Sequence, residues 1–192
     1  GIMLEQLITW DHQLFLTLNS LGSPVFDSFW LKKKKKGTNA VVYFSLIVLY
    51  GKKWGWKKAL YLLSIGVLMV GVTDQITNLF KGGFMRLRPC YTPEIQIFTR
   101  LVKENCGGQY GFFSGHASNS FALAFFFGSI FNRFNYLLPT LLVFASSIAY
   151  SRIYLGVHFP LDIICGAVAG ITIACIFYFI GIKRFAPGLA SY

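Results

Sequence analysis

Residues 163–182 read IICGAVAGITIACIFYFIGI, an apolar run without a charged side chain. As an α-helix this run is about 30 Å long, which matches the hydrocarbon core of a bilayer. A shorter apolar stretch, 38–50, covers only about 20 Å as a helix. Four stretches are better candidates for membrane spans, at about residues 59–80, 117–131, 136–151 and 159–182. The sequence predicts an all-α fold, a polytopic transmembrane helix bundle of about five spans (five or six).

The composition supports a membrane protein and argues against a soluble one. Hydrophobic residues make up 55% of the 192 residues and charged residues only 13%, whereas soluble domains carry about 25% charge. The net charge of +11 would suggest nucleic acid in a soluble protein, but no nucleic-acid recognition motif is present. We therefore expect a lipid bilayer as the partner, no nucleic acid, and a single domain over residues 1–192. The sequence indicates no particular oligomeric state.

The first twenty residues have an apolar stripe at helical spacing, interrupted by Glu5, Asp11 and His12. This pattern predicts an amphipathic helix that lies in the membrane interface. The break at Gly22-Ser23-Pro24 ends it, and we expect no cleavable signal peptide.

Basic residues predict the orientation of the chain. With five crossings, the loop 52–58, Arg133 and the pair Lys183-Arg184 fall on one side, which the positive-inside rule assigns to the cytoplasm. The opposite side also holds many cations, which we interpret as anion-binding groups: Lys81, Arg86, Arg88, Arg100, Lys103 and Arg152. The run Lys32–Lys36 lies on that side against the rule. It looks inserted or substituted, and we assign it no function.

The four cysteines fall into two pairs. Cys165 and Cys175 lie in an apolar span and are predicted to be packing residues. Cys90 and Cys106 flank a polar loop, and they form a disulfide only if that loop faces an oxidising compartment.

Three short segments carry the candidate chemistry: Lys81–Pro89 (KGGFMRLRP), Phe113–His116 (FSGH) and Ser151–Asp162 (SRIYLGVHFPLD). Each lies at an end of an apolar stretch, on the same predicted side.

The residue types in these segments suit a phosphate. Lys81, Arg88 and Arg152 supply cationic donors, and an arginine fork matches phosphate oxygens. Ser114 and Gly115 open a helix whose N–H groups bind anions readily. His158 and Asp162 are four residues apart, so the carboxylate can orient the imidazole. Taken singly, each arginine could be a membrane anchor and Asp162 a helix cap; the whole set on one face favours a site that also includes His116.

The three segments resemble the signatures of the type 2 phosphatidic acid phosphatase (PAP2) superfamily, K-x6-RP, PSGH and SR-x5-H-x3-D. The first and third match in full, and the second departs from the pattern because Phe113 stands where the family usually has proline. The signatures lie within residues 81–162 and, with the surrounding apolar helices, suggest the membrane-bound bacterial lipid phosphatase branch.

The resemblance implies a mechanism. His158 resembles the nucleophile that forms a phosphohistidine, Asp162 orients it, and His116 resembles the general acid. Five residues resemble the cage around the phosphate oxygens: Lys81, Arg88, Ser114, Gly115 and Arg152. The resemblance implies no metal and no cofactor. Arg86 is not a fixed signature position; contact with a second phosphate or a lipid head group is one alternative for it. Asp74 interrupts the stretch 59–80, and we favour a structural role for it over one at the site.

The expected function is hydrolysis of a phosphorylated membrane lipid in the bacterial inner (cytoplasmic) membrane, at the periplasmic or exterior face. Candidate substrates are lipid A, undecaprenyl pyrophosphate, phosphatidylglycerol phosphate and phosphatidic acid, and we favour the first two. The alternative is a non-catalytic phospholipid-binding or transport protein that retains the cage, but the nucleophile is present. Soluble relatives with these signatures are excluded by the apolar runs.

Overall fold

The computed structural model describes residues 1–33 and 37–190. This part of the chain forms α-helices and contains no β-sheet. The helices are α1 Ile2–Ser20, α2 Pro24–Lys33, α3 Gly37–Trp54, α4 Trp56–Phe84, α5 Pro93–Gln96, α6 Gly115–Ile130, α7 Leu137–Tyr154 and α8 Pro160–Phe177. A π-helical segment, Tyr178–Arg184, continues α8, and short 3-10 turns occur at Pro89–Tyr91 and Pro187–Leu189. Lys34–Lys36, in the lysine run, lie outside the described residues.

Three helices in the described ranges are long and apolar enough to cross a membrane. They are α4, α7 and α8 together with its π-helical continuation. The all-α membrane fold is thus confirmed, whereas the number of five spans stays a prediction. α6 has only 16 residues and is therefore too short to qualify as a span. α3 carries Lys52 and Lys53 in its last turn and does not qualify by its composition.

The N-terminal helix lies against the ends of the spans, as expected of an interfacial helix. Asp11, Phe15 and Asn19 are buried at helical spacing, and Asn19 donates hydrogen bonds to the carbonyls of Ile153 and Tyr154 at 3.0 and 3.3 Å. The apolar residues of α1 are exposed on the other face, where lipid can cover them. Asp11 and Asn19 therefore face the protein, whereas other polar residues of the helix, such as Glu5 and Thr9, are exposed.

Helix α6 is the centre of the bundle and approaches α8 closely through two glycines. A Cβ on Gly166 would lie 2.7 Å from the carbonyl oxygen of Ser114, and one on Gly170 would lie 2.2 Å from that of Ser118. This four-residue spacing of glycines is typical of tightly packed membrane helices. The contact brings the two helix N-termini together, and the Ser114 amide donates to the carbonyl of Asp162 at 3.0 Å.

The polar loop between α4 and α6 is tied back on itself. Cys90 and Cys106 form a disulfide with their Cα atoms 6.4 Å apart, which decides between the two alternatives left open by the sequence. Cys165 and Cys175 are unpaired in α8. Backbone bonds from Arg88 to Gln109 and from Gly111 to Arg86, at 3.0 and 2.8 Å, fix the loop further.

Gly170→Ala is predicted to lower the thermal unfolding midpoint in detergent, because the added methyl group would press on the α6 backbone. Overpacking of this kind costs about 1–3 kcal/mol. Gly71→Ala is the matched control, since a Cβ there would meet nothing within 4 Å. Equal midpoints for the two variants would contradict the close contact between α6 and α8.

Candidate active site

The segments singled out in the sequence meet at one end of the bundle, which we call the site end. It is formed by the C-terminal ends of α4 and α7 and the N-terminal ends of α6 and α8. The loop that carries the disulfide covers it. The opposite end, which we call the basic end, holds a cluster of cations: Lys52, Lys53, Lys57, Lys58, Arg133, Lys183 and Arg184.

His158 and Asp162 are buried together at the site end. The His158 side chain follows the turn after α7 and is 3% exposed, and its Nδ1 lies 3.4 Å from Oδ2 of Asp162. That separation is longer than a usual hydrogen bond, as is common in ligand-free sites. Oδ2 of Asp162 also accepts a hydrogen bond from the amide of Phe159 at 2.9 Å. With Nδ1 beside the carboxylate, Nε2 is the ring nitrogen left for a substrate.

Burial lowers the pKa of His158 well below its ordinary value, and the positive charges of Arg88, Arg152 and Lys81 lower it further. Both causes disfavour the charged imidazolium. The imidazole is therefore neutral at pH 7 and keeps a lone pair. The three predicted cage cations therefore lie close enough to His158 to act on it together.

The cage cations differ in how they are held. Arg88 donates from Nη1 to the carbonyl of Cys106 at 3.2 Å and from Nε to that of Tyr110 at 3.3 Å. Burial also lowers the pKa of Arg88. Arg152 is 2% exposed, and within the described part of the chain its Nε and Nη1 have no hydrogen-bond partner. A buried guanidinium without partners is costly, and an anion would relieve that cost.

The N-terminus of α6 supplies the remaining predicted groups. Ser114 caps the helix, accepting a hydrogen bond from the amide of Ala117 at 3.3 Å. Gly115 begins the helix, and His116 follows it within electrostatic range of Arg152, His158 and Lys81. A capped N-terminus beside three cations is a ready anion site. All eight residues predicted from the sequence therefore lie at the site end.

Sequence reasoning missed the ion-pair network behind Asp162. Arg86 donates from Nη1 to Oδ1 of Asp162 at 2.7 Å and from Nη2 to Oδ2 of Asp11 at 2.5 Å. Asp11 also accepts from the amide of Leu161 at 2.8 Å. Arg86 is thus paired with two carboxylates rather than directed at a lipid head group. The available signal was Asp11 itself, an acid in the middle of an apolar helix.

Arg86 and His12 enclose Phe159, the residue after His158. The Arg86 guanidinium lies 4.6 Å from the ring centroid of Phe159, and His12 stacks on the same ring at 4.7 Å. The N-terminal helix α1 is therefore part of the wall that supports His158. Among the described residues, no three His, Cys, Asp or Glu side chains are grouped as a metal site would require.

Comparison with known proteins identifies the family of the chain. The PAP2 superfamily pattern matches residues 57–185, more than half of the sequence. The chain belongs to the PAP2 superfamily. Among curated members, a lipid A 4'-phosphatase of Porphyromonas gingivalis is 34% identical over 91% of this chain and 74% of its own length. A lipid A 4'-phosphatase of Bacteroides thetaiotaomicron is 35% identical over 94% of this chain and 81% of its own length.

Two solved structures share the PAP2 fold. The crystal structure of Aquifex aeolicus LpxE aligns with a TM-score of 0.63 at 25% identity, over 85% of this chain and 92% of that one. The transmembrane PAP2 type phosphatidylglycerolphosphate phosphatase of Bacillus subtilis aligns with a TM-score of 0.68 at 20% identity, over 94% and 89%. The protein is thus an integral membrane member of the superfamily.

Orthovanadate, a tetrahedral oxyanion like phosphate, is expected to bind the cage and raise the thermal unfolding midpoint in detergent. At one hundred times its dissociation constant the gain is about 2.7 kcal/mol. Arg152→Leu should lose this response while still folding, because an apolar residue replaces a buried unpaired charge. Arg133→Leu, at the basic end, is the matched control and should keep it. A full vanadate response in Arg152→Leu would contradict the assignment of Arg152 to the cage.

Proposed function

We propose that the protein removes a phosphate group from a membrane lipid through a covalent phosphohistidine on His158. One observation carries the proposal: Lys81, Arg88 and Arg152 surround a neutral, buried imidazole that has a carboxylate behind it. Such an excess of positive charge suits a phosphate dianion. The relatives named lipid A 4'-phosphatases support the same reaction class.

In the first step, the lone pair of His158 Nε2 attacks phosphorus, and the bond from phosphorus to the lipid oxygen breaks on the opposite side. A P–N bond replaces the P–O bond. Burial and the charge of Arg152 lower the pKa of His116 to about 3 in the absence of substrate, and we infer that a bound phosphate dianion favours the protonated imidazole. That imidazole gives its proton to the leaving lipid oxygen, so that a neutral hydroxyl departs. The cage cations and the α6 N-terminus stabilise the charge on the equatorial oxygens, which is the main source of catalysis in phosphoryl transfer.

In the second step, His116 is neutral and takes a proton from a water molecule. The water oxygen attacks phosphorus, the P–N bond breaks, and inorganic phosphate leaves. His158 regains its lone pair and His116 its proton, so both residues return to their starting states. The step needs no co-reactant other than water.

The network behind His158 explains why the imidazole holds its orientation. Asp162 faces Nδ1 of His158 at 3.4 Å, and in this proposal the contact shortens to a hydrogen bond when substrate binds. Arg86 donates to Asp162 at 2.7 Å and to Asp11 at 2.5 Å, which holds the Asp162 carboxylate in place. The guanidinium of Arg86 is held between two carboxylates and therefore has little freedom to rotate. In this proposal Arg86 and Asp11 are positioning residues, because they act through Asp162 and do not touch the substrate.

No metal is required by this mechanism. Three protein cations supply the charge stabilisation that Mg²⁺ provides in other phosphoryl transfer enzymes. The sequence has no carboxylate cluster of the kind that holds Mg²⁺.

We place the active site on the periplasmic face of the bacterial inner membrane. The basic end carries seven lysine and arginine residues next to the ends of α3, α4, α7 and α8, which favours the cytoplasm for that end. The disulfide between Cys90 and Cys106 lies in the loop that covers the site end, and disulfides persist in oxidising compartments such as the periplasm. Two independent features therefore support one orientation.

Lipid A is the substrate that the comparisons favour. The two relatives described above are named lipid A 4'-phosphatases, and the chain spans 74% and 81% of their lengths. Undecaprenyl pyrophosphate, phosphatidylglycerol phosphate and phosphatidic acid present the same phosphate to the cage and are the competing substrates. A non-catalytic lipid-binding protein would have no need of His158 and its supporting carboxylate.

His158→Ala is predicted to abolish phosphate release from lipid A in detergent micelles. The phosphohistidine is not expected to survive acid. Wild-type protein is therefore mixed with ³²P-labelled lipid, and the reaction is stopped with alkali. Labelled protein should appear in the wild type and be absent in the variant. The wild-type rate should be the same in EDTA.

The vanadate response is the folding control for this variant, because the cage cations remain. Retained turnover in a folded His158→Ala protein would refute the nucleophile, and loss of the wild-type rate in EDTA would reveal a required metal.

Asp11→Ala is predicted to lower kcat about tenfold while KM changes little, because Asp11 acts only by holding Arg86 and Asp162. Glu5→Ala, on the exposed face of the same helix, is the matched control. Initial rates of phosphate release over a range of lipid concentrations give the two constants. A change confined to KM would place Asp11 at the substrate instead.

A further inference from the structure

A cavity of about 820 Å³ opens beside the cage, between α3, α4 and α6. Lys81, Gly115 and His116 form part of its wall, so it is continuous with the site. Its volume falls within the range of small-molecule sites, roughly 300–1,000 Å³. The catalytic steps proposed above use only the end of this cavity that contains Lys81 and His116.

The lining of the cavity changes in the same order along α4 and α6, and α3 contributes polar and then apolar residues to it. Away from the site end, cationic and catalytic groups give way to amides, a carboxylate and a phenol, and then to apolar side chains. Five residues form the middle zone, which we call the polar collar: Asn39, Tyr43, Asp74, Asn78 and Asn119. The apolar zone beyond it includes Phe44, Ile47, Leu63, Val67, Leu123 and Phe127.

The polar collar is costly unless something occupies the cavity. Asp74 and Asn78 are exposed on α4, a helix that is otherwise apolar enough to span a membrane. Asp74 lies seven residues before Lys81, about 10 Å along the helix at 1.5 Å per residue. A carboxylate at this depth is costly on insertion scales, and such residues face a cavity or a ligand path.

Several polar atoms of the collar have no partner within the described part of the chain. Asn119 donates from Nδ2 to Oδ1 of Asp74 at 2.9 Å, and Asn39 donates from Nδ2 to Oγ of Ser120 at 3.0 Å. Both amides leave their carbonyl oxygens without a hydrogen bond, and so does the hydroxyl of Tyr43, which is 4% exposed. The amide torsion is soft, so a small rotation turns either oxygen towards a ligand.

The unpaired hydrogen-bond acceptors of the collar lie next to the phosphate cage. A complementary ligand has several hydrogen-bond donors close to its phosphate. A sugar ring has such donors in its hydroxyl and amide groups. A polyprenyl chain has none, and a diacylglycerol has ester oxygens that only accept. The order of the lining also matches a phosphorylated glycolipid, in which phosphate, sugar and acyl chains follow one another.

We propose that the polar collar is a sugar subsite, which binds the saccharide that carries the scissile phosphate and selects phosphorylated glycolipids over other lipid phosphates. This inference rests on the proposed phosphatase function and adds the residues that choose its substrate. Asn39, Tyr43 and Asn119 accept hydrogen bonds from the sugar. Asp74 holds the amide of Asn119 in place and offers its second oxygen to the ring.

Tyr43→Phe is the sharpest test, because it removes only a hydroxyl that has no partner in the described protein. The variant should fold as well as the wild type. kcat/KM for phosphate release is measured in micelles for lipid A, whose phosphates are carried by a glucosamine disaccharide, and for phosphatidic acid. The ratio of the two constants should fall about threefold to tenfold, the effect of one lost hydrogen bond.

Asn39→Leu tests the same ratio with a different side chain and should lower it by a similar factor. Tyr136→Phe, an 86% exposed tyrosine at the basic end, is the matched control and should leave the ratio unchanged. Thermal unfolding midpoints of all variants separate a loss of folding from a loss of selectivity. An unchanged ratio in Tyr43→Phe and Asn39→Leu would overturn the sugar subsite.

The wild-type protein gives an independent outcome. It should hydrolyse lipid A with a higher kcat/KM than phosphatidic acid or undecaprenyl pyrophosphate. Turnover of all three lipids without a preference for lipid A overturns the sugar subsite alone. No turnover of any lipid overturns the proposed function, and the sugar subsite with it.

Discussion

The structure depends on an excess of positive charge held in a nearly apolar bundle. Lys81, Arg88 and Arg152 converge on His158, while Asp162 is already shared with Arg86. Burying like charges together is costly, and in the proposed reaction a phosphate dianion offsets that cost on binding. The same charges keep His158 neutral. A single electrostatic arrangement therefore both attracts the substrate and prepares the nucleophile.

This arrangement requires four helix ends to meet within a few ångströms, and glycine packing makes that possible. Gly166 and Gly170 let α8 lie against the backbone of α6, so the capped start of α6 faces the first turn of α8. With larger residues at these positions, Ser114 and Asp162 could not share a hydrogen bond. The packing of α8 against α6 inside the membrane thus sets the distances between site residues at the membrane surface.

The sequence predicted that eight residues form one site because the three segments lie at ends of apolar stretches and resemble the PAP2 signatures; the structure brings the eight residues to the same end of the bundle, and their roles in a phosphate cage and in catalysis stay proposals. It could not predict the partner of Arg86, because Asp11 lies on a separate helix and resembles a tolerated interruption of an apolar stripe. The count of about five spans stays a prediction, since α6 is short and α3 ends in lysines. Pairing of Cys90 with Cys106 depended on loop geometry and compartment, which composition does not contain.

In the proposed reaction, catalysis and substrate choice depend on different parts of α4, around Lys81 and around Asp74. Because α4 is one rigid helix, the distance between these two parts is fixed. Contacts to the equatorial oxygens at Lys81 strengthen as charge develops in the transition state, so they raise kcat. Contacts around Asp74 lie about 10 Å away and hold parts of the lipid that do not react, so they act equally on ground and transition states. Such uniform binding changes KM and hence the choice between lipids. Because one helix carries both zones, a head group that fills the polar collar also delivers its phosphate at the correct depth to His158.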